Sequence, residues 1–139
     1  MTPYHFSVTV HGDFDNMVKI THDALTEHGF AVVSEVDMAA TLNEQLGVNH
    51  ENYMILGACN PGFANAALNQ EPSVGVLFPS NVVIRSTVDD AVVIDFLDPA
   101  VVLSAVEETG IHKIADEVRT RLEMTRDAIA RASAVARAS

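Results

Sequence analysis

The sequence predicts a single α+β domain with a mostly antiparallel sheet, helices packed on it and a long C-terminal helix. Three observations carry this expectation. Short β-rich runs end at glycine, Asn-Pro or paired aspartates; amphipathic segments with helical spacing stand between them; and no linker or internal repeat divides the chain. At 139 residues and 48% hydrophobic, the chain is sized for one continuous core.

The first run alternates. Tyr4, Phe6, Val8 and Val10 fall on one face, and His5, Ser7, Thr9 and His11 on the other, the period of a half-buried strand over 4–11. Gly12 breaks it and Asp13 caps a helix whose Phe14, Met17, Thr21, Ala24, Leu25 and His28 recur at three- and four-residue steps until Gly29. Phe30–Val36 reads as a second strand. Asp37 then caps a short helix carrying Met38, Leu42 and Leu46, which Gly47 stops. Tyr53–Cys59 is apolar throughout and reads as a central strand, with Asn60 as N-cap and Pro61 at the first position of a helix over 61–69. Strands are expected at 74–78, 81–87 and 91–96, paired as an antiparallel meander, which gives a sheet of five or six strands. Asp98-Pro99 opens another helix, Gly110 interrupts it, and Ile111, Ile114, Ala115, Val118, Leu122 and Ile129 carry an apolar stripe onward. The domain is expected to span 1–130, with 131–139 as a frayed tail of Ala, Ser and Arg.

The net charge of −11 is unevenly spread: residues 1–112 hold 15 acids against Lys19 and Arg85, whereas 113–139 hold six bases against four acids. Such a body repels phosphate backbones and anionic lipid, so neither nucleic acid nor membrane is an expected partner. There is no apolar run of bilayer length, and the N-terminal residues lack a signal pattern. With a lone cysteine that cannot form an intramolecular disulfide, the sequence predicts a cytoplasmic protein.

Chemistry concentrates at Cys59, the end of an apolar strand two residues before Pro61. Helix N-termini favour a thiolate, which makes Cys59 a candidate nucleophile; a free cysteine also packs as a small inert hydrophobe. His5 and His11 stand roughly 20 Å apart along a strand at ~3.3 Å per residue, and His22 and His28 diverge by roughly 120° around their helix, so neither pair chelates one ion and no metal site is expected. Asp95, Asp98, Glu107 and Glu108 read as caps and solvated faces. Neither G-x-G-x-x-G nor G-x-x-x-x-G-K occurs, so no nucleotide cofactor is expected.

The run Tyr53-Met54-Ile55-Leu56-Gly57-Ala58-Cys59-Asn60-Pro61, followed by Ala64 and Leu68, resembles the signature segment of the domain of unknown function 302 family. Gly29-Phe30 leading to Glu35-Val36-Asp37, Gly75–Pro79 with Asn81–Val83, and Asp98-Pro99 extend the resemblance over about 4–125. It implies a curved antiparallel sheet similar to half of the TATA-binding protein, usually in a homodimer, and no reaction. Where that family commonly has a second cysteine, after the proline of its second motif, this chain has Ser80, so any cysteine chemistry is monothiol or intermolecular.

The leading functional expectation is a homodimeric, non-enzymatic module that binds a small ligand, anions among the candidates, beside Cys59. Asn60, Pro61, Pro79, Ser80 and Asn81 are its candidate ligand-binding residues. The alternative is a thiol-dependent enzyme or sulfur-relay protein with Cys59 as catalytic nucleophile.

Overall fold

The computed structural model describes residues 3–138, with side chains as far as Ala134. Five strands form one sheet: β1 (His5–His11), β2 (Ala31–Asp37), β3 (Tyr53–Cys59), β4 (Ser80–Ser86) and β5 (Ala91–Leu97). Their spatial order is β1-β5-β4-β3-β2 and every neighbouring pair is antiparallel. This arrangement is compatible with the half-fold that the resemblance implies. The helices are α1 (Phe14–Glu27), α2 (Met38–Leu46), α3 (Pro61–Gln70), α4 (Pro99–Val102) and α5 (Thr109–Ala138). Short stretches of 3-10 helix cover Pro72–Leu77 and Leu103–Ala105.

The helices start where short polar side chains replace missing backbone partners. Asp13, Asp37, Asn60 and Asp98 each accept a hydrogen bond from a backbone N–H of the first turn that follows. α1 buries Met17, Thr21, Ala24 and Leu25 against the sheet, the spacing that the sequence predicts. One face of the sheet supplies Leu56, Ala58, Val82, Ile84, Val92, Ile94 and Phe96 to the main core, which Leu122 and Ile129 of α5 close. A second, smaller cluster of Ala67, Val74, Leu103, Ile111 and Ala115 lies under α3 and the two 3-10 turns. α5 therefore runs through both clusters.

Three expectations meet a different structure. Residues 74–78 are not a strand: Pro72–Leu77 is a 3-10 helix, begun by the Glu71 carboxylate, which accepts from Ser73 N. β4 is flanked by β3 and β5, so the sheet has no edge there to receive another strand. The meander is a β4–β5 hairpin. The tail expected to fray from 131 is helical as far as Ala138, and Ser139 lies outside the described residues. Gly110 likewise falls inside the first turn of α5 and does not break it. No helix among the described residues is long and apolar enough to cross a membrane.

Gly57 shows how tightly β2 and β3 meet. A Cβ there would overlap Ser34 Oγ and stand 3.0 Å from Pro79 Cγ. Gly57→Ala is therefore expected to cost about 1–2 kcal/mol, as overpacking does. Ser34→Ala in the same chain should recover part of it, because the serine oxygen can be removed and the proline ring cannot. Urea unfolding of the two single variants and the double variant measures that coupling.

Candidate functional site

The site grows from the corner where β3 becomes α3. Cys59 is the last residue of β3 and pairs with Ala31 of β2. Asn60 follows in extended backbone and uses its carboxamide twice: Oδ1 accepts from Phe63 N at 3.1 Å and Nδ2 donates to Gly29 O at 3.0 Å. The start of α3 is thus tied to the end of α1. Gly29 sits at φ 88, where L side chains are strained, and a Cβ there would lie 3.2 Å from both Asn60 Nδ2 and Arg121 Nη1. Arg121 of α5 closes the corner with its guanidinium 5.3 Å from the centre of the Phe63 ring.

Beneath this corner is a cavity of ≈ 50 Å³. Phe30, Phe63, Phe78, Leu103, Ile114 and Val118 give it apolar walls, and Cys59, Asn60 and Ser80 line it as well. It lies at the seam of the two hydrophobic clusters. Ser80 is 8% exposed, sits beside Ala58 on the core face of β4 and lines the cavity, whereas the sealed side-chain oxygen without a hydrogen-bond partner among the described residues is Thr21 Oγ1 in α1. A water needs about 10–15 Å³ of such space, so the cavity holds a few waters or a few carbon atoms, far less than the 300–1,000 Å³ of drug-sized sites.

The structure brings together only part of the expected site. Cys59, Asn60 and Ser80 meet at the cavity; Pro61 and Asn81 are exposed elsewhere, and Pro79, after a cis peptide bond, packs near Gly57 instead. The aromatic walls were missed. Phe30 and Phe63 stand one and three residues from the glycine and asparagine that shape the corner, a signal available in the sequence. Leu103, Ile114 and Val118 arrive from distant turns and left none.

Cys59 is half-buried, and burial pushes its thiol up from the ordinary value of 9.0, opposite to the lowering expected from a helix start. Asn60 occupies the cap, while Cys59 stands one residue outside it against an apolar cavity, so desolvation prevails. A raised thiol pKa favours the neutral form in the folded state. The resulting stability is present below the unfolded thiol pKa and is lost as pH rises through the folded one. The stability difference between wild type and Cys59→Ala should therefore be flat below about pH 8 and shrink above about pH 9, read from urea midpoints. Iodoacetamide should label native Cys59 at pH 7 no faster than an ordinary exposed thiol.

The acids also have structural duties. Asp95 pairs with Arg85 at 2.8 Å, and Asp98 pairs with Arg119 at 2.9 Å. Among the described residues no three His, Cys, Asp or Glu side chains are grouped to hold a metal ion.

A family model described as "Domain of unknown function DUF302" matches residues 6–129. Among solved structures, the "Crystal structure of uncharacterized conserved protein DUF302 from Bacillus stearothermophilus" is similar in fold, with a TM-score of 0.84 at 22% sequence identity, covering 92% of this chain and 99% of that one. No curated protein matches the sequence.

Proposed function

Because the chain belongs to the DUF302 family, a domain of unknown function that hands down no reaction, we propose that it is a non-catalytic module binding a small, uncharged amphiphile in the cavity beside Cys59. One observation carries the reading: Ser80, 8% exposed, brings a hydroxyl to the wall of an otherwise aromatic and aliphatic cavity. A buried hydroxyl gains from an occupant that hydrogen-bonds it, and the walls favour an occupant that is otherwise apolar. This replaces the anionic ligand expected from the helix start, because the Asn60 carboxamide already takes up the Phe63 N–H. The alternative of Cys59 as a nucleophile in a thiol-dependent enzyme or relay draws no support from a thiol that burial keeps neutral.

The homodimer and a cytoplasmic location belong to the same reading. Val33, Val36, Leu46 and Val48 are exposed along β2 and at the end of α2, beside a free sheet edge, and a second copy would cover them.

Thermal shift and native mass spectrometry against short alkanols and short alkyl thiols test the proposal. At least one compound should stabilise the wild type, by about 2.7 kcal/mol at a hundredfold excess over its Kd. Ala64→Leu, which fills the cavity, should abolish the effect, and Ser80→Ala should weaken it. No stabilisation anywhere in the panel, or undiminished binding by Ala64→Leu, sinks the reading. The same spectra report whether the chain has the mass of one copy or two.

A further inference from the structure

The sheet has a second face, opposite α1 and α5, and over β1, β5 and β4 it forms a cleft of ≈ 450 Å³. That volume lies within the range of small-molecule sites. Strand register places its groups. Tyr53 is opposite Arg85, Val83 is opposite Asp95, and Asp95 is opposite Ser7, so all five share this face. Tyr4, its ring tilted 46° against that of His5 at 4.7 Å, walls the β1 side and Tyr53 the β3 side. Val83 and Leu97 form a half-buried apolar floor.

Arg85 is one of two cations among residues 1–112, and it stands in this cleft. Its Nε donates to Asp95 Oδ2 at 2.8 Å, while Asp95 Oδ1 accepts from Ser7 Oγ at 2.5 Å. Both oxygens of Asp95 are thereby engaged and the guanidinium plane is fixed. A guanidinium has five N–H donors, and only the Nε donor is used among the described residues. The Nη donors form a fork whose geometry matches a carboxylate, and Asp95 offsets the net charge without occupying that fork.

We propose that this cleft binds a small carboxylate with a planar apolar body, the carboxylate on the Arg85 Nη groups and the body on Val83 and Leu97 between the two tyrosine walls. The cleft is separate from the cavity beside Cys59 and its occupancy does not depend on that site. Phenylacetate, with phenylacetamide as its uncharged isostere, is the probe, followed by NMR titration of the full chain. Phenylacetate should shift resonances of Tyr53, Val83 and Leu97 and bind about 10- to 100-fold more tightly than the amide, the range of a charge-assisted hydrogen-bond pair. Arg85→Gln should erase that preference. Asn81→Asp, an exposed change that leaves the Arg85–Asp95 pair intact, should weaken the acid and spare the amide, which keeps the test decisive if Arg85→Gln unfolds the chain. Equal binding of acid and amide, no binding of either, or full affinity in Asn81→Asp overturns the proposal.

Discussion

Replacing Phe96 with alanine is expected to lower the unfolding free energy by about 3–5 kcal/mol, the largest effect of any single truncation in the sheet. Phe96 is 0% exposed near the end of β5, opposite Phe6 on one side and Val82 on the other. Its ring stacks on Phe6 at 5.4 Å with an interplanar angle of 10°. Arg119 and Arg126 of α5 lie over the Phe6 ring at 5.5 and 5.3 Å. Losing the Phe96 ring therefore leaves a void and also unseats the layer through which α5 meets the edge strand. Domains of this size are commonly stable by about 5–15 kcal/mol, so the change removes about a fifth or more of the total. A lower urea midpoint at unchanged slope is the expected signature, and Phe96→Leu should cost less than about 1.5–2 kcal/mol. A loss below about 1 kcal/mol for the alanine variant would contradict the packing described.

Asp98→Ala should follow, at about 2–4 kcal/mol. The residue is 8% exposed and joins three elements: its backbone N–H donates to Tyr4 O at 2.8 Å, Oδ1 accepts from Ala100 N at 3.0 Å, and Oδ2 accepts from Arg119 Nε at 2.9 Å. Removing a helix cap costs about 1 kcal/mol. Breaking a well-buried pair costs more, but Arg119 is 39% exposed and regains water, so the pair contributes less than a sealed one. Asp98→Asn separates the two contributions. It keeps an oxygen for Ala100 N and gives up the charge, and should lose only about half as much as the alanine variant. Equal losses for Asn and Ala would assign the whole effect to the ion pair.

The readable parts of the sequence were those fixed by neighbours a few residues away. The capping role of Asp13, Asp37, Asn60 and Asp98 needs only the next turn, and each caps as expected. Tyr53–Cys59 was legible to the residue because an apolar run ends sharply at Asn-Pro. Val74–Phe78 was misread because a β-rich composition cannot reveal that Val74 is buried while Val76 is 86% exposed, nor that β4 has both neighbours already. The cavity was half legible: the corner that frames it is local, while the α5 side chains that close it come from some fifty residues away. The thiol carried two readings in the sequence, a thiolate favoured by the helix start and a small packed hydrophobe, and its burial beside an apolar cavity, with Asn60 taking the cap, favours the second.

The division of the interior into two clusters has a kinetic consequence. The smaller one holds five buried side chains, and sheet strands contribute none of them. Such a satellite opens at lower free energy than the strand-backed centre, so α3 and the 3-10 turn after it form the natural breathing unit. The doorway to the cavity is the seam where that unit rests on the rest of the molecule. Entry and exit of an occupant are then paced by this partial opening, and amide exchange in α3 would slow on occupancy while exchange in β4 and β5 stayed as it was.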